Sequence, residues 1–99
     1  VPLPPEGITH AWYKFYAFVK PEALAEGWSR DRILSEIASL GYPALSGSCS
    51  EIYLERCFQE AGLAPADRLP VARELGETSL MFLVHPTITP EQMAGYTEA

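Results

Sequence analysis

Leu80-Met81-Phe82-Leu83-Val84 places five apolar residues in a row, and the reading of that run decides the fold. A helix with one buried stripe would space its apolar groups three and four apart, and a strand with one wet face would alternate them. An unbroken run of this length instead fits a strand covered on both faces. The other segment of strand composition is His10–Lys20, HAWYKFYAFVK. Its aromatic and branched residues favour extended backbone and occur at both parities of the two-residue repeat, so both of its faces want cover. Pro21 ends it, because proline has no N–H to give to a ladder. A short further strand is expected around Ala44 and Leu45.

Helices fill the spaces between these strands. Ser29 is placed to cap a helix with Asp31 in its first turn and Ile33, Leu34, Ile37, Ala38 and Leu40 as one apolar stripe; Gly41 and Pro43 stop it. Ser48 and Glu51 have the S-x-x-E spacing of a capping box, followed by Tyr53, Leu54, Cys57, Phe58 and Ala61 as a buried face and by Gly62 and Pro65 as the stop. Pro70 suits the first position of a helix running to about Glu77. Thr89, Pro90 and Gln92 open the last helix with a capping box, and Ile88 and Met93 are spaced as a hydrophobic staple. The order is β-α-(β)-α-α-β-α. Few strands among many helices indicate an α+β domain with a small, largely antiparallel sheet and helices on one face.

Composition narrows the function classes. Ninety-nine residues make one domain with one modest core. A net charge of -6 repels phosphate backbones and offers no basic stripe, so neither nucleic acid nor an anionic membrane surface is an expected partner. No apolar run approaches the roughly 20 residues that span a bilayer. Two cysteines, Cys49 and Cys57, do not make a secreted disulfide framework, so a reducing, cytoplasmic location is expected. The chain opens on Val1 with prolines at 2, 4 and 5, which reads as residues 1–9 forming an extended connector from a preceding domain and residues 10–99 forming the domain itself.

Candidate sites follow from the polar residues. The loop Ser46-Gly47-Ser48-Cys49-Ser50 has small residues that let backbone N–H groups approach an anion, with a helix start expected just after it. The same serines could simply cap that helix, and Glu51 in its first turn would compete with a bound anion. Lys14 can reach toward a ligand phosphate or serve as an edge charge that discourages strand pairing with another chain. His10 and His85 stand at strand ends without a nucleophile elbow or a Cys-His signature nearby in sequence, and the cysteines and histidines lack the paired spacings of zinc ligands, so no metal is expected. Cys57 reads as a small apolar member of its helix stripe. The aromatic set Trp12, Tyr13, Phe15, Tyr16 and Phe18 exceeds what a domain this small covers with its own helices, which implies an external partner surface.

Read in order, HAWYKFYAFVKPE, SRDRILSEIASLGYP, SGSCSEIY and LPVARELGETSLMFLVHPTITPEQ resemble the C-terminal part of the DegT/StrS family of sugar aminotransferases over nearly the whole chain. Leu69–Gln92 carries the likeness most specifically: a proline, a helix ending near Ser79, an apolar strand, His-Pro and a Thr-initiated final helix. Phe82 and Leu83 stand where many members have Leu-Pro. The resemblance implies a PLP enzyme that moves an amino group from an amino acid, usually glutamate, to a keto sugar carried on a nucleotide diphosphate, and that dimerises through its large domain. It also implies that the Schiff-base lysine, the acid facing the pyridine nitrogen and most phosphate ligands belong to a preceding N-terminal domain. Neither Lys14 nor Lys20 sits in a matching context, so no catalytic residue and no bound PLP are expected here. Tyr42–Tyr53 corresponds to a segment beside the sugar-nucleotide entrance, making Ser46, Ser48, Ser50 and Glu51, with Lys14, the substrate-binding candidates. The alternative is an independent α+β ligand-binding or regulatory module.

Overall fold

A computed structural model describes residues 3–47 and 49–99 and puts the apolar run in the middle of a sheet. In chain order the elements are β1 (Lys14–Phe18), α1 (Arg30–Ser39), β2 (Ala44–Leu45), α2 (Arg56–Glu60), α3 (Pro70–Thr78), β3 (Ser79–Leu83) and α4 (Pro90–Glu98). Single 3-10 turns occur at Pro21–Ala23 and Ile52–Leu54. The strand order is β1-β3-β2, with β3 antiparallel to both neighbours; Phe15 faces Phe82, Tyr16 faces Met81, and Ala44 faces Phe82 from the other side. This is the α+β arrangement expected, and the central position explains why β3 reads as unbroken apolar sequence: a middle strand has no wet edge and few wet faces.

Alternation assigns the two faces. Phe15, Ala17, Leu80 and Phe82 share one, and Lys14, Tyr16, Phe18, Ser79, Met81 and Leu83 share the other. Helix α4 lies on the first face, where the Tyr96 ring meets Phe82 edge-on at 6.1 Å between centroids. The loop after β2 lies on the second: Gly47, at φ 93, comes so close that a Cβ there would stand 2.9 Å from Ser79 Oγ and 3.1 Å from the Tyr16 ring. Only glycine supplies both that backbone conformation and that clearance.

The helix signals hold at most ends. Ser29 accepts from Arg32 N–H at 3.1 Å, and Thr89 and Gln92 complete a reciprocal capping box. Helix α1 closes with a paired 6→1 and 5→2 arrangement, Tyr42 N–H to Ile37 O and Gly41 N–H to Ala38 O, and Leu63 and Gly62 repeat it on Phe58 and Gln59 after α2. Arg30 ties α1 to the α3–β3 junction, donating to Gly76 O and Ser79 O at 3.0 Å each.

Three expectations are corrected. The first strand is ordered only from Lys14, because Trp12 adopts φ 49 and gives its N–H to His10 Nδ1 at 2.9 Å instead of to a ladder. The helix expected after a Ser48 cap, with Tyr53 to Ala61 as its buried face, is divided, since Glu55 is extended (φ -62, ψ 140) between the 3-10 turn and α2. The Ser48–Glu51 capping box lies outside the described residues. Cys57 is exposed on the short α2 and does not belong to a buried stripe. Smaller shifts move β3 one residue earlier and extend α3 through Thr78.

Apolar cover is thin. Among the described residues only Leu80 and Met81, at 8% and 3% exposed, are buried hydrophobic side chains. Accessible surface is 7530 Å², against roughly 5,600 Å² for a self-contained monomer of this mass. The radius of gyration is 16.3 Å, against about 13 Å for a compact domain of this length.

Packing at Gly95 gives a test of the fold. Glycine inside a helix ordinarily gains stability on conversion to alanine, but here the Tyr42 hydroxyl occupies the space, 1.9 Å from where the new Cβ would stand. Tyr42 also stacks on Tyr96, whose hydroxyl donates to Pro43 O at 3.1 Å. Gly95→Ala is therefore expected to lower stability by about 1–3 kcal/mol, read as a lower thermal midpoint; a raised midpoint would contradict this packing.

Candidate functional site

The loop from Ser46 to Glu55 is held at four points. Ser79 Oγ donates to Ser46 O at its start, and Gly47 lies against Tyr16 and Ser79 as described above. Ser50 is half-buried with its hydroxyl set into α3 at Gly76, where any Cβ would fall 2.2 Å from Ser50 Oγ. At the far end the Glu51 carboxylate, only 11% exposed, is gripped by Arg68. Arg68 Nε donates to Oε1 at 2.8 Å and its terminal nitrogen donates to Oε2, a bidentate fork. Tyr53 donates its hydroxyl to Oε1 at 2.7 Å and accepts from Leu69 N–H at 2.9 Å. Arg68 also approaches Glu77 at 3.4 Å, and Arg73 pairs with Glu77 at 2.9 Å. The loop is thereby clasped to the connector before α3.

These contacts shift the clasp's ionisation. The Arg68 hydrogen bonds, followed by that from Tyr53, lower Glu51 to about 2. Tyr53 is pushed above its usual phenol value by desolvation first and by Glu51 second, and Glu51 raises Arg68. Glu51 is thus a fixed anion committed to an internal cation.

The sequence candidates fall in two places. Ser46, Ser50 and Glu51 belong to the clasped loop, with Ser46 exposed at its rim and Ser50 turned into α3; Ser48 lies outside the described residues. Lys14 is elsewhere, half-buried on β1, with its ammonium 5.4 Å from the Tyr13 ring centroid. In the sequence Arg68 falls between the stop at Pro65 and the helix start at Pro70, and Gly76 falls inside that helix. No periodic signal links Arg68 to a carboxylate 17 residues away, so the clasp could be found only in space.

The two lysines lie in different surroundings. Lys20 borders a cleft that also holds Arg73, Glu22, Glu74 and Glu77, with Glu77 paired to Arg73 at 2.9 Å, and Lys14 lies over the Tyr13 ring. His10 and His85 are engaged locally, His10 with Trp12 N–H and His85 Nδ1 with Thr87 Oγ1 at 2.6 Å. Among the described residues no three His, Cys, Asp or Glu side chains are grouped to hold a metal, and no helix is long and apolar enough to cross a membrane.

A second feature, an apolar groove of about 470 Å³, opens between α4 and the sheet. Trp12, Phe15, Phe82, Val84, Met93 and Tyr96 supply most of its wall. Trp12 stacks against His10 at 4.4 Å and meets Phe15 edge-on at 5.2 Å. Its left-handed backbone costs on the order of 1–2 kcal/mol for a residue with a Cβ, so the ring is held in that wall against a conformational preference.

The ionisation of the clasp can be checked directly. A carboxyl whose folded value lies below its ordinary 4.5 contributes stability in full above that pH and loses it as pH falls toward 2. The side-chain carboxyl carbon of Glu51 is expected to titrate near 2 by NMR, and Arg68→Ala is expected to return it to the ordinary carboxylate range. A Glu51 midpoint near 4.5 in the unsubstituted chain would remove the clasp.

No protein-family model matches the chain, and no curated protein matches it either. A solved structure does: the X-ray structure of the aminotransferase from Psychrobacter cryohalolentis is similar to it at 56% identity over 91% of this chain, with a TM-score of 0.87. The match takes up 23% of that chain, so the present sequence spans less than a quarter of the solved protein. At this identity the likeness covers sequence as well as backbone: the chain is an α+β domain of the kind built into that aminotransferase.

Proposed function

We propose that this chain is the C-terminal small domain of a PLP-dependent aminotransferase of the DegT/StrS kind, which transfers an amino group from glutamate to a keto sugar carried on a nucleotide diphosphate. The observation that carries this reading is the 56% identity, at a TM-score of 0.87, to under a quarter of a solved aminotransferase. The thin apolar cover supports it, since a domain shaped to sit against a larger body need not bury its own sheet. Two exposed, unpaired cysteines are compatible with a reducing cytoplasm.

In this reading the cofactor, its lysine and most of its phosphate ligands lie in a preceding large domain, through which the intact enzyme dimerises. PLP supplies the electron sink for moving the amino group. The small domain contributes position. Its clasped loop forms one wall of the substrate entrance, with Ser46 at the rim offering a hydroxyl to the sugar nucleotide and Lys14 a charge. Rigidity of that wall comes from Arg68 on Glu51 and from Ser50 in the recess at Gly76.

The test uses the N-terminally extended coding sequence. The extended protein is expected to bind PLP and to form glutamate-dependent amino sugar nucleotide, whereas borohydride reduction of the 99-residue chain with PLP is expected to label neither Lys14 nor Lys20. An extended protein that binds no PLP, or that aminates only small keto acids, would sink the proposal. Within the extended enzyme, Ser46→Ala is expected to raise KM for the sugar nucleotide by roughly two- to tenfold with kcat changed less than about twofold, the size of one lost neutral hydrogen bond.

A further inference from the structure

We propose that His10 and Trp12 form a pH-sensitive latch on the first strand: the neutral His10 imidazole holds Trp12 in a bent backbone, and its protonation lets β1 lengthen past Trp12 toward His85. The inference concerns residues of this domain alone and does not depend on the aminotransferase reading.

The bent state rests on one bond. Among the described residues Trp12 is the one residue other than glycine with a left-handed backbone, at φ 49, a conformation that a residue with a Cβ resists. Its N–H donates to His10 Nδ1 at 2.9 Å. A backbone N–H can only donate, so Nδ1 has to be the ring nitrogen without a proton, and the imidazole has to be neutral. Protonation puts a hydrogen on Nδ1 and sets two donors against each other. An imidazole ordinarily changes charge between about pH 5 and 8, so the bond is present on the alkaline side of that change and lost on the acid side.

The released backbone has somewhere to go. The register that pairs Lys14 with Leu83, continued by two residues, sets Tyr13 opposite Val84 and Trp12 opposite His85, both beyond the end of β3. The sequence from His10 to Phe18 favours extended backbone throughout. One hydrogen bond therefore holds the bent form against strand propensity and the left-handed residue, a balance that one proton can tip. The rings do not oppose the change. They lie 4.4 Å apart in the bent form, and residues two apart share a face of a strand, so the pair stays together while the backbone straightens.

The other titratable groups around the latch can be told apart from it. None of the ion pairs among the described residues includes His10, or Glu6 and Lys14, the nearest charges along the chain. From α4, Tyr96 faces the same groove, and desolvation pushes its phenol above the usual value, so it stays neutral. His85 shares the groove wall with Trp12, with its Nδ1 2.6 Å from Thr87 Oγ1, and is the second imidazole that the test has to separate.

The chain has two tryptophans, Trp12 and Trp28, so labelling tryptophan with carbon-13 and nitrogen-15 gives two backbone sets by NMR, assigned with Trp12→Phe. The Cα and Cβ shifts of Trp12 distinguish left-handed from extended backbone, and the His10 ring protons report protonation in the same sample. From about pH 8 to about pH 5 the ratio of bent to extended Trp12 is expected to fall roughly two- to tenfold, the size of one neutral hydrogen bond, along the same curve as His10. His10→Asn supplies an amide oxygen that accepts from an N–H two residues on and does not protonate, so it is expected to keep Trp12 bent throughout. His10→Ala is expected to leave Trp12 extended throughout, and His85→Gln to leave the step unchanged. The latch is overturned if Trp12 is not bent at about pH 8, if its shifts do not follow His10, if the step survives in His10→Asn, if His10→Ala stays bent, or if His85→Gln abolishes the step. Collapse of the Leu80 and Met81 amide signals over the same range also overturns it, since the event would then be unfolding of the sheet.

Discussion

A sheet whose middle strand is apolar on both faces has to be covered twice, and this chain has only short elements to do it with. β3 carries Leu80 toward one side and Met81 toward the other, and these two are the buried hydrophobic side chains among the described residues. Around them Phe18, Leu45, Leu83 and Val84 remain exposed. The excess of accessible area over that of a compact monomer has the size of a full protein interface. That shortage of cover is the main physical feature of the described residues.

Within the domain, rigidity is concentrated where the chain is least regular. The loop after β2 has almost no repeating backbone hydrogen bonds, yet Gly47 is pressed onto the sheet, Ser50 into α3 and Glu51 onto Arg68. Each contact joins the loop to a different element, so the loop moves only if several elements move.

Local features were legible in the sequence, and features made by distant residues were not. The caps at Ser29 and Thr89, the stops at Gly41 and Gly62, the proline at the start of α3 and the apolar middle strand all depend on neighbours within a few positions, where chain chemistry dictates geometry. The clasp depends on Arg68 meeting Glu51 across 17 residues, and the break in the helix expected there comes at the extended Glu55. Trp12 read as strand because its side chain favours strand, but a ring nitrogen two residues earlier took its N–H. Gly76 and Gly95 serve as recesses for Ser50 and Tyr42, a role visible only once the partner is in place. The internal commitment of Glu51 to Arg68 could not be foreseen from spacing.

The most direct measurement is the unfolding free energy of the 99-residue chain by itself, by urea denaturation under conditions where sedimentation shows a monomer. A domain whose sheet depends on another body should yield less than about 3 kcal/mol, below the 5–15 kcal/mol usual for self-sufficient domains. A cooperative monomer with more than about 5 kcal/mol would mean that Leu80, Met81 and the half-buried aromatics form a complete core, and that no larger body is needed to cover them.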